Sequence, residues 1–351
     1  MTPALAEATA LAHPNIALIK YWGKEDDDLV LPAAGSLSLT LDVFPTTTTV
    51  TPDTGLTRDV VELDGRPAGP TTAYRVGAFL DLVRALAGRA GAKPLHARVR
   101  TRNAVPTGAG LASSASGFAA LALAASSAYG LRLDRPGLGR LARRGSGSAC
   151  RSIVPGLALW RAGDDASSYA VPVEGPPLGM VIVVADVGGK KVSSREAMRR
   201  TRDTSPYYAA WVRSAAADLG PALEALRHDD LAALGELVES NALRMHAAIA
   251  ACRPPIRYLR PESLMVFEAA EELRVSGLGV YATADAGPNV VLVCRLRDLA
   301  RVSEALVGRL GQAFAGRIVS AGPGPGARLV PVGTAAEDPA RGAPPAVRGR
   351  P

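Results

Sequence analysis

The chain is poor in cysteine, lysine, histidine and aromatic side chains, and each shortage removes a class of function. Its 351 residues include only three cysteines, Cys150, Cys252 and Cys294. They are too few and too scattered for a disulfide framework or a zinc site. The four histidines, His13, His96, His228 and His246, follow no ligand spacing, so no metal-binding side-chain set is predicted. No apolar run approaches the roughly 20 residues that span a bilayer. The N-terminal stretch, broken by Glu7, lacks the basic and then apolar pattern of a secretory signal. These absences predict a cytoplasmic protein with no membrane partner. Lys and Arg together number 40 against 33 Asp and Glu, a net charge of +7. The basic residues form no dense run and are not interleaved with aromatics, which argues against nucleic acid and suits small anionic substrates. The only lysines are Lys20, Lys24, Lys93, Lys190 and Lys191. In a chain that otherwise chooses arginine, two close pairs suggest sites wanting a compact ammonium.

The length suits two domains. Segments from His13 to Val50 alternate like strands, and Thr46 to Thr51 is β-branched. Thr71 to Ala87 has helical spacing, with Tyr74, Ala78, Leu82 and Leu86 on related faces. Leu95–Arg102 reads as a strand and Leu138–Arg144 as a helix. Met180–Asp186 reads as a buried strand opening a second domain. Helices are expected over Tyr207–Leu219, Leu231–Ile249, Pro261–Val275 and Leu299–Phe314. Strands are expected over Leu278–Ala284, Asn289–Cys294 and after Gly326. The division expected is residues 8–178, residues 179–331 and a disordered tail, 332–351, rich in Pro, Ala, Gly and Arg.

The most informative stretch is Asn103-Ala-Val-Pro-Thr-Gly-Ala-Gly-Leu-Ala-Ser-Ser-Ala-Ser-Gly117. Gly108 and Gly110 let a phosphate approach backbone N–H groups, and Ser113 and Ser114 stand where an apolar helix would begin. It is neither a P-loop with Gly-Lys-Ser/Thr nor a dinucleotide fingerprint. Read alone, it also fits a serine-capped turn before a buried helix. Three other segments gather polar chemistry. Tyr21-Trp22-Gly23-Lys24 puts a cation beside two aromatics, though a strand end with snorkelling lysines looks the same. Gly145-Ser-Gly-Ser-Ala-Cys-Arg151 offers hydroxyls, amides and a guanidinium able to fork onto oxyanions. In Lys190-Lys-Val-Ser-Ser-Arg-Glu196, Ser193 and Glu196 have capping-box spacing, with Ser194 displayed beside them. Asp285, in Asp-Ala-Gly-Pro between two apolar segments, is ordinary turn chemistry on its own.

Taken together and in order from about His13 to Val330, these five segments resemble the diphosphomevalonate decarboxylase family. That family belongs to the small-molecule kinase superfamily of galactokinase, homoserine kinase, mevalonate kinase and phosphomevalonate kinase. The resemblance implies a two-domain α+β fold, with an N-terminal domain similar to ribosomal protein S5 domain 2 and a ferredoxin-like C-terminal domain, and a cleft between them. It implies ATP-dependent decarboxylation of mevalonate 5-diphosphate, with Mg²⁺ on the triphosphate. Asp285, Arg151 and Lys24 would be catalytic, with Arg151 on the substrate carboxylate and Asp285 accepting the proton of the attacking hydroxyl. Substrate contacts would come from Tyr21, Trp22, Gly23, Lys24, Arg75, Ser146, Gly147, Ser148, Ala149, Cys150, Arg151, Ser194 and Arg195. ATP contacts would come from Pro106, Gly108, Gly110, Leu111, Ala112, Ser113, Ser114, Lys190 and Lys191. Glu25 replaces a commonly basic position, Ala33-Ala-Gly35 a more polar stretch, and Val154-Pro155 an aromatic-glycine segment. Three readings stay open beside it: a kinase that stops after phosphoryl transfer, a decarboxylase preferring the monophosphate, and a non-catalytic sensor of nucleotide or prenyl phosphates. A homodimer is also open.

Overall fold

A computed structural model describes residues 6–88, 94–104, 113–185 and 191–333. The fold is α+β, built on three main sheets. In the six-stranded sheet the order is Arg328–Val330, Ala8–Ala12, Thr46–Pro52, Ala97–Asn103, Val60–Leu63 and Arg66–Pro67. Only the pairing of Val60–Leu63 with Ala97–Asn103 is parallel. Against this sheet lies the helix Ser113–Ala128, whose Ala115, Ala119, Ala122 and Ala125 are fully buried. Such small side chains let the helix axis approach the strands closely. The helices Pro70–Leu86 and Arg135–Gly145 complete the layer, the latter capped by Asp134, whose carboxylate accepts from Gly137 N at 2.8 Å.

The second sheet orders Ala170–Pro172, Leu157–Trp160, Ser36–Thr40 and Asn15–Ile19. The third orders Val280–Thr283, Val290–Arg295, Leu178–Val183 and Ile318–Ala321. Its strand Leu178–Val183 is buried on both faces, and side-chain alternation divides its residues between two cores. Val181 and Val183 pack with the helices Pro261–Val275 and Leu299–Leu310. Met180 and Ile182 pack with the helices Tyr208–Arg227 and Leu231–Ala250, and with Ile16, Leu18, Leu37 and Leu39 of the second sheet. The second and third sheets therefore share one apolar core, and the groups at its end are held in fixed relation.

Three sequence expectations need correction. On the helix Pro70–Leu86 the expected face is the wet one: Tyr74 is 77% exposed, and Ala78 and Leu86 are also exposed. The buried residues are Val76, Phe79, Leu80 and Val83, a parallel set of the same period, joined by Arg84. The helix beginning at Tyr208 does not stop at Leu219; it runs through Pro221 to Arg227. The last strand, Arg328–Val330, assigned by sequence to the second domain, pairs antiparallel with Ala8–Ala12 of the first sheet. Residues from Thr334 onward, the expected tail, lie outside the described residues.

Candidate active site

A cleft of about 390 Å³ opens where the second sheet, the turn at Asp285 and the start of the helix Ser194–Thr204 meet. Among the described residues its wall carries five basic side chains, Lys20, Lys24, Arg75, Arg151 and Arg195, and one carboxylate, Asp285. So unequal a set inside a concave site favours a multiply charged anion. Tyr21, Trp22, Ser114, Ser146, Gly147, Ser148 and Ser194 also line it.

Asp285 sits just after the strand Val280–Thr283, as the sequence pattern suggests. Its Oδ1 accepts from Lys20 Nζ at 2.6 Å, and Lys20 also donates to Ala17 O at 2.8 Å. The two side chains are unequally covered, Lys20 1% and Asp285 34% exposed. Burial drives the Lys20 ammonium below its usual pKa, against the opposing pull of Asp285. Both line the cleft, the carboxylate partly open to it and the ammonium almost wholly covered.

Arg151 lies on the short helix Ala149–Ser152 and is 3% exposed. Its Nε donates to Asn15 Oδ1 at 2.9 Å and its Nη1 to Ser36 Oγ at 2.7 Å. The Asn15 amide in turn donates to Ser152 Oγ at 2.8 Å and Ser148 O at 3.1 Å, which fixes its orientation. The guanidinium is locked on one side and presents the other to the cleft. Tyr21 packs on Trp160 with ring centroids 4.6 Å apart, and Gly147 lies against its hydroxyl, where a Cβ would stand 2.8 Å from Oη. Among the described residues that buried hydroxyl has no hydrogen-bond partner, and burial raises its pKa.

Arg75 donates to Gly145 O at 3.0 Å and stacks over Phe118 at 4.8 Å. Burial, and then the neighbouring Arg195, lower its pKa to about 10. Ser193 caps its helix as expected, accepting from Glu196 N at 3.2 Å. The Glu196 side chain turns instead to Arg199 and Arg200. Lys24 reaches Asp27 at 3.0 Å, and Asp27 reaches Arg202 at 2.7 Å, tying the hairpin that starts at Lys24 to the same helix.

Some expected contacts fall elsewhere. The Ala149 and Cys150 side chains are fully buried in apolar clusters, not in the cleft wall. Burial pushes the Cys150 thiol up to about 12, which keeps it unreactive. Gly23, at φ +122°, backs onto Tyr208, whose Oη would be 2.2 Å from a Cβ there. Lys191 is exposed and outside the wall. Ser114 is at the first turn of its helix, its Oγ 3.4 Å from Ser146 Oγ, and Ser113 opens that helix. Pro106, Gly108, Gly110, Leu111, Ala112 and Lys190 lie outside the described residues. Sequence reasoning missed Lys20, Asn15 and Ser36 as site members. Lysine scarcity had marked the first, and polar residues inside otherwise buried strands were the available signal for the other two.

His246, on the helix Leu231–Ala250, is 7% exposed and meets Ala284 O at 3.3 Å. Burial and then Lys20 lower its pKa to about 4, against 6.5 for a free imidazole. Between those values the unfolded chain binds more protons than the folded one. The stability this histidine contributes is complete above pH 6.5 and is lost as pH falls towards 4, a change on the order of 3 kcal/mol. Urea unfolding at stepped pH is expected to show this slope, and the His246→Gln variant to flatten it. An equal slope in that variant would assign the acid sensitivity to other groups.

Residues 12–170 match the model of the diphosphomevalonate decarboxylase-like N-terminal domain, and residues 180–318 that of the mevalonate 5-diphosphate decarboxylase C-terminal domain. The diphosphomevalonate decarboxylase of Aspergillus fumigatus is 36% identical over 325 residues, covering 87% of this chain and 80% of the relative. The human diphosphomevalonate decarboxylase is 35% identical over 310 residues, covering 82% and 76%. Among solved structures, a complex of MDDEF with MVAPP, AMPPCP and magnesium superposes with a TM-score of 0.87 at 42% identity, covering 93% of this chain and 99% of the other. Mevalonate diphosphate decarboxylase from Staphylococcus aureus superposes at 0.86 with 40% identity, covering 93% and 98%. The chain belongs to the diphosphomevalonate decarboxylase family.

Proposed function

We propose that this cleft carries out the ATP-dependent decarboxylation of (R)-mevalonate 5-diphosphate, giving isopentenyl diphosphate, ADP, phosphate and carbon dioxide. The observation that carries the reading is the Lys20–Asp285 pair at 2.6 Å, facing a locked Arg151 within a strongly cationic wall. Asp285 takes the proton of the substrate's tertiary hydroxyl as its oxygen attacks the γ-phosphorus of ATP and the bond to ADP breaks. Lys20 keeps that carboxylate ionised and aimed. Phosphorylation turns a poor leaving group into a good one. The C–O bond to phosphate then breaks, and positive charge develops at the tertiary carbon. The bond to the carboxyl carbon breaks next, its electron pair forming the new double bond. Arg151 holds the departing carboxylate in line, and Lys24, Arg75 and Arg195 compensate the diphosphate, with Ser146, Ser148 and Ser194 as donors.

Ser114, at the positive end of the helix Ser113–Ala128 and beside Ser146, fits a phosphate group of ATP. Mg²⁺, when bound with the nucleotide, neutralises phosphate charge during transfer. Among the described residues no three His, Cys, Asp or Glu gather as a metal site. The phosphate oxygens of the nucleotide and hydroxyls such as that of Ser114 could serve as its ligands here. A cytoplasmic location and a homodimer belong to the same proposal, tested by fractionation and light scattering.

The decisive assay supplies Mg-ATP with mevalonate, its monophosphate or its diphosphate, following carbon dioxide and isopentenyl diphosphate separately from ADP. ADP without carbon dioxide would make the protein a kinase, and a faster monophosphate reaction would change the substrate. The Arg151→Lys variant keeps the charge but loses the fork, so turnover is expected to fall about tenfold or more while ATP affinity holds. Loss of nucleotide affinity in a binding titration would move Arg151 to the ATP phosphates.

A further inference from the structure

The helix Leu231–Ala250 runs behind the Lys20–Asp285 pair and holds the backbone on both sides of it. Asn241 Oδ1 accepts from Lys20 N at 2.9 Å. The other end of that amide donates to Asp218 at 2.7 Å, and Arg244 holds the same Asp218 oxygen at 2.7 Å, so the amide cannot flip. Five residues on, His246 Nε2 lies 3.3 Å from the carbonyl of Ala284, the residue before Asp285. A carbonyl only accepts, so the imidazole carries its proton on Nε2. Between the two, Met245 reaches the cleft wall, whereas Asn241 and His246 do not. Asn241 is fully buried, so neither residue is placed to touch a substrate.

Lys20 and Asp285 are 265 positions apart and follow strands of two different sheets. A side-chain contact at 2.6 Å that is also to be aimed at a substrate depends on where the two strand ends lie relative to each other. We propose that Asn241 and His246 are positioning residues, and that one helix serves as the gauge that sets the spacing of the catalytic pair. The Asn241 contact fixes the Lys20 end and the His246 contact fixes the Asp285 end. This rests on the reading of Asp285 as acceptor of the hydroxyl proton. The charged groups facing His246 are Lys20 and Asp285 themselves.

The test is a double-mutant cycle on the full chain with Mg-ATP and mevalonate 5-diphosphate. His246→Leu removes the donor at similar volume, and His246→Gln returns a donor near the Nε2 position. His246→Leu is expected to lower kcat about tenfold with KM for both substrates within about twofold, since misplacing a catalytic group by a fraction of an ångström acts on turnover. His246→Gln is expected to recover most of the loss. In an Asp285→Asn background, His246→Leu is expected to change kcat by less than about twofold, because its effect passes through Asp285. Unchanged kcat in His246→Leu, no recovery with glutamine, or an equal loss in both backgrounds would each overturn the proposal. Full activity of Asp285→Asn alone would instead overturn the assignment of Asp285, a distinguishable failure. Should His246→Leu not fold, His246→Asn, whose amide stops short of Ala284 O, takes its place in the same cycle.

Discussion

Replacing Asp285 with asparagine is expected to lower phosphoryl transfer and carbon dioxide release together by at least about a hundredfold. The amide keeps the shape of the side chain but accepts no proton, and it loses the charge that the buried Lys20 ammonium faces at 2.6 Å. Two effects then add. The general base disappears, and a cation 1% exposed is left without its counter-charge. Part of the second effect is relieved because Lys20, already lowered in pKa by burial, can release its proton. The fold and ATP affinity are therefore expected to survive, measured by circular dichroism and by titration with a non-hydrolysable nucleotide. Quenched-flow separation of ADP from carbon dioxide gives the critical reading. Rapid ADP formation with only carbon dioxide abolished would mean that Asp285 acts after phosphorylation, and its assigned role would be wrong.

The second large effect lies far from the chemistry. Arg84, 2% exposed on the helix Pro70–Leu86, donates to both oxygens of Asp59 at 3.1 and 2.9 Å and to Asp81 at 2.6 Å. Asp59 also accepts from Ala97 N at 2.8 Å, so this carboxylate joins the helix to the first residue of a sheet strand. Arg84→Met keeps the stem but takes from Asp59, only 9% exposed, its permanent counter-charge, leaving the Ala97 N–H and the His96 ring, 3.5 Å away, as its neighbours. Removing one partner of such a pair costs about 3–5 kcal/mol, and urea unfolding at constant m-value is expected to show it. Adding Asp59→Asn is expected to recover much of the loss, since a neutral pair has no stranded charge. A loss under about 1 kcal/mol in the single variant would mean that water already solvates Asp59.

Arg84 also marks where the sequence could not be read. The helix itself was legible, but an arginine on its inner face hid the buried stripe, and the exposed Tyr74 and Leu86 mimicked one. Helical period alone fits both faces, and only the ion pair across to Asp59 tells them apart. At the site, Asp285, Arg151, Lys24 and the serines could be singled out only because five segments together resemble one family, each being ambiguous alone, and the cleft places them on one wall. The supporting groups could not. Asn15, Ser36 and Asn241 reach the site through contacts across more than 100 residues and His246 through one across 38, and no local motif marks any of these pairings, although a polar residue inside a buried strand hinted at the first two. Ala149 and Cys150 show what a motif match leaves out: it carries over a whole stretch of residues, whereas these two neighbouring side chains turn into apolar clusters and only Arg151 of the short helix lines the cleft.

The return of Arg328–Val330 to the edge of Ala8–Ala12 has a consequence during synthesis. Until residue 330 has been made, the strand formed first has one side unpaired. At about 5–20 residues per second, the roughly 300 intervening residues take on the order of 15–60 s. An open edge invites pairing with another nascent chain for that whole interval. The composition of the waiting strand, Ala-Thr-Ala-Leu-Ala, limits the danger. Alanine favours strands weakly and offers little side-chain surface to a wrong partner. The correct partner arrives on a constrained path, with Pro323 bridged to Leu41 and Gly324 pressed so close to the Leu41 carbonyl that no side chain fits there. The sheet that begins the chain is thus sealed by nearly its last described residues, and it can reach its final form only once those residues have been made.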